Sequence, residues 1–162
     1  LVGGQIDLST AFKKLKEIGN QALPYSKLQV TVAATLSAPF FSIMFGGNVY
    51  DAFGAAIATL FGFAFSLYVE KFVRIPFVTA FAGAFVFGLI AQFWARYTGF
   101  HSTADLIIAG AVMPFVPGIA LTNAVRDIMT NHINSGMSKM FESLLITLAL
   151  GAGTSVALVL MT

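Results

Sequence analysis

The chain has no cysteine. Disulfides, thiolate metal sites and cysteine nucleophiles are thereby excluded. Charge is nearly as scarce. Asp, Glu, Lys and Arg make up 10% of the 162 residues, where a soluble domain carries about a quarter. So little charge leaves too little polar surface to cover a water-exposed globule. The net charge of +2 is small, and nucleic acid is not an expected partner. The two histidines, His101 and His132, lie in separate polar segments that are expected on opposite sides of a membrane, so no metal site is expected. No H-E-x-x-H, G-x-S-x-G or phosphate-cradling glycine loop occurs, which argues against an ATP-driven pump or an intramembrane hydrolase. The chain is read as a non-enzyme without a cofactor. It opens at Leu1 with no apolar targeting core ahead of Lys13 to Lys16, so a longer soluble N-terminal part is expected to be missing.

What is abundant is apolar sequence: 57% of the residues, gathered in blocks. A block of about 18 or more apolar residues reads as a membrane span. The predicted fold class is an all-α membrane protein, a bundle of about five transmembrane helices. Residues 1–26 are expected to form an amphipathic N-terminal helix, Asp7 to Asn20, and a connector turning at Pro24. Leu8, Phe12, Leu15 and Ile18 give that helix an apolar stripe, while Lys13, Lys14, Lys16 and Glu17 give it a wet face. It either lies on the membrane surface or packs as a connector. Residues 27–162 hold the spans: Leu28 to Phe45 with a kink at Pro39, Asp51 to Val69, Ile75 or Phe77 to Ala95, Ala104 to about Leu121, and Met140 to Met161. Gly46-Gly47-Asn48 reads as a tight turn. Trp94 and Tyr97 are expected at the lipid–water boundary, where amphipathic rings collect.

Basic residues test this division. With the N-terminal side in the cytoplasm, Lys13, Lys14, Lys16, Lys27, Lys71, Arg74, Arg126 and Lys139 fall inside, and of the 9 Lys and Arg residues only Arg96 falls outside. That is the positive-inside pattern, and it supports the division independently of hydropathy. It implies a multi-pass protein of the inner (plasma) membrane. Small residues every fourth position, Gly54, Ala58, Gly62 and Ser66, then Ala80, Ala84 and Gly88, predict close helix packing. The many phenylalanines are read as packing or lipid-facing residues rather than a binding box.

The stretch that carries chemistry runs from Asp105 to Glu142. Pro114, Pro117 and Gly118 interrupt the fourth span. Each proline removes a backbone donor, and the freed carbonyls must face protein or a wet cavity. Broken helices at midplane depth build substrate sites in many transporters. If Asp105 sits at the outer boundary, Pro114 lies about 14 Å deeper, near the centre of a roughly 30 Å core. Directly after the break, Thr122, Asn123, Arg126 and Asp127 share a helix face. Arg126 can clasp a carboxylate with two parallel hydrogen bonds. Asp127 either holds Arg126 or meets an ammonium group. The bland alternative is an Arg–Asp pair that anchors the helix at the interface. Glu142, about one turn into the fifth span, is a coupling or gating candidate because burying its charge is costly; Lys139 and Arg126 are its expected partners. Asp51 and Asp105 either cap their helices or serve coupling.

The run P-G-I-A-L-T-N-A-V-R-D-I, Pro117 to Ile128, resembles the signature of the threonine/serine exporter family. S-G-M-S-K-M-F-E-S-L-L, Ser135 to Leu145, and D-L-I-I-A-G, Asp105 to Gly110, are similar to further blocks of that family. The resemblance covers nearly the whole chain and matches its first membrane half, and also the corresponding subunit of two-component succinate exporters. One departure is clear: Asn131-His132 stands where the family often has Gly-Asp, so any role of that acidic residue does not carry over. The resemblance implies export of small polar metabolites, threonine and serine or a C4 dicarboxylate such as succinate. It implies a second half, fused or separate. The break and the face after it, rather than the resemblance, make Pro117, Gly118, Thr122, Asn123, Arg126 and Asp127 the expected substrate-binding residues. A homo-oligomer is compatible with the same layout. The alternative function is a non-transporting membrane scaffold or assembly subunit.

Overall fold

A computed structural model describes residues 25–98 and 102–161, with Thr10 and Lys16 as isolated positions. The expected helix Asp7 to Asn20, the turn at Pro24 and His101 lie outside the described residues. The chain divides into two compact units, Leu1–Val30 and Thr31–Thr162. In the first, Ser26 and Gln29 form a reciprocal cap: the Ser26 amide donates to Gln29 Oε1 at 2.9 Å and the Gln29 amide donates to Ser26 Oγ at 3.2 Å. This is the S-x-x-Q capping box of a helix start.

The described residues are helical throughout, without strands. The helices are α1 (Lys27–Met44), α2 (Val49–Glu70), α3 (Pro76–Tyr97), α4 (Ala104–Val112), α5 (Gly118–Met129) and α6 (Ile133–Met161), with a 3-10 turn, Met113–Phe115, between α4 and α5. Three of them, α2, α3 and α6, are long and apolar enough to cross a membrane, and α4 with α5 makes a fourth if the bent pair is one span. The first expected span, α1, is not among them. Lys27, Gln29, Thr31, Thr35, Ser37 and Ser42 dilute its 18 residues. Its hydroxyls turn back on the helix: Thr35 Oγ1 donates to the Thr31 carbonyl and Ser37 Oγ to the Ala34 carbonyl. Pro39 sits inside α1, which continues through it.

The last helix extends beyond the expected span Met140 to Met161: it begins at Ile133 and has 29 residues. At 1.5 Å per residue it is about 44 Å long, well beyond a roughly 30 Å hydrocarbon core. Counting back about 20 residues from Met161 puts Glu142 at the boundary rather than a turn inside it.

Packing follows the small residues. Ala38, Ala55, Ala58, Ala84, Ala91 and Ala111 are fully buried, while Phe40 is 73% exposed. Lipid tails are as apolar as side chains, so helices associate through close van der Waals contact rather than by hiding large apolar groups. At the α2–α3 crossing, a Cβ on Gly62 would lie 2.9 Å from the Gly83 carbonyl oxygen. At the α3–α6 crossing, a Cβ on Gly153 would meet the Phe81 carbonyl at 2.5 Å, and one on Gly88 would meet Ala157 Cβ at 2.7 Å. The predicted stripes Gly54–Ser66 and Ala80–Gly88 are thus the contact faces of α2 and α3. The phenylalanines divide between lipid and packing: Phe40, Phe45, Phe61 and Phe65 are exposed, and Phe87 is fully buried. Trp94, near the end of α3, packs sideways onto a neighbouring helix. Its ring lies against α2, where a Cβ on Gly54 would come within 2.9 Å of Trp94 Cδ1. Tyr97 is exposed and stacks on Phe93 with ring centroids 4.8 Å apart.

Candidate substrate site at the broken helix

The break is built from the residues that predict it. Pro114 lies in the first turn of the Met113–Phe115 3-10 helix, Val116 is extended, and Pro117 is the N-cap of α5. The two helical pieces meet at 55°. Short bonds hold the bend, with the Val116 amide donating to the Met113 carbonyl at 3.2 Å and the Gly118 amide to the Val116 carbonyl at 2.8 Å. Phe115 pins it to the bundle. Its ring sits between Phe63 of α2, at 5.2 Å, and Phe87 of α3, at 5.4 Å. Tilted aromatic pairs at such distances add stability beyond their buried area.

Beyond the break, α5 separates its residues by face. Ala124 is fully buried against α6, where a Cβ on Gly136 would come within 2.7 Å of the Ala124 carbonyl oxygen. Thr122, Asn123 and Arg126 are exposed together on the other side. Thr122 Oγ1 donates back to the Gly118 and Ile119 carbonyls at 3.1 and 3.0 Å, which leaves its lone pairs outward. Ile119 and Met129 are each 80% exposed at the ends of this face. At 12 residues α5 is about 18 Å long, too short to cross the bilayer core alone.

Asp127 does not hold Arg126. It accepts from Lys139 Nζ at 2.6 Å and from Ser135 Oγ at 3.2 Å, both on α6. The turn between these helices is closed by Asn131, which takes the left-handed conformation at φ 63°, as helix-ending residues often do. Thr130 Oγ1 donates to the Arg126 and Asp127 carbonyls and lies 3.2 Å from His132 Nδ1. Lys139, expected beside Glu142, is engaged by Asp127 instead, and Glu142 is exposed. Among the described residues no group pairs with Arg126. So the structure brings Pro117, Gly118, Thr122, Asn123 and Arg126 to one place, diverts Asp127 into a helix–helix tie, and leaves Glu142 apart.

The outer acidic residues separate as well. Asp51 is 1% exposed. Its Oδ2 accepts the Asn48 amide at 2.8 Å while Asn48 Oδ1 accepts the Asp51 amide at 2.9 Å, a complete capping box. Its Oδ1 accepts the Thr103 amide at 2.9 Å, so Asp51 also fastens the start of α4 to the start of α2. Nothing in the sequence spacing, 52 residues apart, marks that tie. Asp105 is exposed in the first turn of α4, where a negative charge suits the helix dipole. Among the described residues no cluster of three or more His, Cys, Asp or Glu could hold a metal ion.

A family model described as "Putative threonine/serine exporter" matches residues 1–161. Two curated relatives bear the name "Probable succinate transporter subunit YjjP". The protein from Escherichia coli (strain K12) is 29% identical over 161 residues, covering 94% of this chain and 59% of the relative. The protein from Klebsiella aerogenes is 27% identical, covering 94% and 58%. The chain thus spans less than two thirds of the length of the curated relatives it matches. No solved structure matches.

Proposed function

The chain belongs to the threonine/serine exporter family, and on that premise we propose that it is the membrane component of a secondary exporter of small polar metabolites. Its cargo is threonine and serine, or a C4 dicarboxylate such as succinate. The relatives named as succinate transporter subunits favour the second. The orientation we propose puts the N-terminal side in the cytoplasm of an inner membrane, following the basic residues.

One observation carries the reading: Thr122, Asn123 and Arg126 stand open on α5, directly after a 55° break. The Asn123 amide and the Arg126 guanidinium, which pairs with no other described residue, offer donors to the oxygen atoms of a small acid, while the outward lone pairs of Thr122 suit a donor such as an ammonium or hydroxyl group. An open face holds such a cargo poorly, because sites bury most of their ligand. A second membrane half, fused or separate, therefore completes the site by covering α5. Repeats facing each other across a midplane site are common in secondary transporters.

The test is efflux of labelled succinate and labelled threonine from vesicles. Three preparations are compared: this chain alone, this chain with a second half, and lipid only. Gradient-driven efflux is expected with both halves and absent from the other two. Efflux from the chain alone would defeat the two-half reading, and its absence from the pair would favour a scaffold role.

A further inference from the structure

At the opposite end of the bent pair from Arg126, the last turn of α3 and the start of α4 border an open cavity of about 410 Å³. Gln92, Arg96, Ser102, Thr103 and Ala104 are among its lining residues. Gln92 and Arg96 are four residues apart on α3, so they share a face. Arg96 Nη1 also donates to the Met161 carbonyl, which uses one of its five N–H groups. Ser102 Oγ is shielded from solvent and has no hydrogen-bond partner among the described residues. Thr103 is the N-cap of α4, yet its side chain makes no cap hydrogen bond. The first amides of a helix lack partners within it and carry its positive end.

The groups that border this cavity can all donate: the Arg96 guanidinium, the Gln92 amide and the exposed Thr103 hydroxyl at a helix start. That set recognises an anion, and a planar carboxylate best suits the guanidinium fork. Two acidic groups lie nearby and limit the charge accepted. Asp51 sits behind Thr103 and accepts its amide, and Asp105 is exposed in the first turn of α4. Together they oppose a second negative charge at this end. The volume lies within the range of small-molecule sites, about 300–1,000 Å³.

We propose that this cavity is a second binding subsite, taking one carboxylate end of a small organic acid or amino acid. In the orientation proposed above, it is the exit subsite of the exporter. That meaning rests on the exporter reading; the binding itself does not. Arg96, the basic residue that stands apart from the other eight in the topology, then has a role in handling cargo. Two arginines, Arg126 and Arg96, mark the two ends of the path that the broken helix divides.

The test is equilibrium binding of labelled succinate and labelled threonine to the purified chain in lipid nanodiscs. An Arg126→Gln background removes the α5 face from the measurement. Saturable binding of at least one probe should persist there. Adding Arg96→Gln should weaken it at least tenfold. Adding Thr103→Val should weaken it less, with helix content and melting unchanged. Equal binding with and without Arg96→Gln, or no saturable binding in the Arg126→Gln background, would overturn the proposal. Failure of the exporter reading is distinguishable: vesicles would show no efflux while the Arg96-dependent binding stood.

Discussion

Replacing Asp51 by alanine tests whether this residue merely caps α2 or also ties α4 to it. The buried carboxylate accepts two backbone amides, from Asn48 at 2.8 Å and from Thr103 at 2.9 Å. In Asp51→Ala both amides lose their acceptor in a site that is 1% exposed. A buried donor left unsatisfied costs about 1–3 kcal/mol. Two such losses, partly relieved by water entering at the helix end, amount to roughly 2–5 kcal/mol. Asn48→Ala is the internal reference. It removes the cap bond to the Asp51 amide at 2.9 Å but leaves the Asp51–Thr103 tie, so it should cost about 1 kcal/mol. Asp51→Asn keeps one acceptor oxygen and should fall between the two. The assay is denaturant unfolding of the purified chain in mixed micelles, followed by helix circular dichroism. If Asp51→Ala costs no more than Asn48→Ala, within about 0.5 kcal/mol, the tie to α4 contributes nothing and the reasoning fails.

Further outcomes follow from other sites. Arg126→Lys keeps the charge but loses the planar fork, so affinity for a carboxylate cargo should fall roughly ten- to a hundredfold, about 1.5–3 kcal/mol; normal affinity in a well-inserted variant would make Arg126 an interfacial anchor. Gly62→Ala places a Cβ 2.9 Å from the Gly83 carbonyl and should cost about 1–3 kcal/mol. Gly151→Ala meets nothing within 4 Å and should be neutral or stabilising by about 0.5–1 kcal/mol; equal effects of the two in unfolding titrations would refute the crossing. Lys139→Met breaks a pair whose side chains are 47% and 25% exposed, so its stability loss in the same titration should stay below about 1 kcal/mol. Single cysteines at Asn48 and Thr103, both exposed, should react with an impermeant thiol reagent in intact cells, and one at Ser26 should not; the reverse pattern would invert the topology.

Much of this architecture was readable from residue spacing. The break at Pro114 to Gly118 follows from the two missing backbone donors, and the α2 and α3 contact faces follow from small residues every fourth position. The turn at Gly46 is confirmed by its positive φ of 97°. What escaped the sequence are relations between distant residues. Lys139 reaches Asp127, 12 residues away, because α5 and α6 form an antiparallel hairpin; helical spacing alone pairs Lys139 with Glu142. The Asp51–Thr103 tie depends on how two helix starts meet. Trp94 turns inward because Gly54 leaves room for its ring, a fact about the neighbouring helix. The helical stretch ahead of the last span went unread for a different reason. Hydropathy reports depth in lipid, whereas Ile133 to Lys139 is polar and yet helical.

The 55° bend has an anchor on either side of it. Upstream, α4 is bolted to α2 through Asp51. At the corner, Phe115 is clasped by α2 and α3. Downstream, α5 is riveted to α6 through Asp127 and the Gly136 contact, and α6 itself lies along α3 through Gly88 and Gly153. An elbow braced on both arms against one frame is a bracket, not a hinge. Its angle is set before any cargo arrives, so little reorganisation is spent in shaping the face that carries Arg126. On the proposed two-half reading, any motion that alternates access falls to this unit as a whole, rocking as one body against a second half.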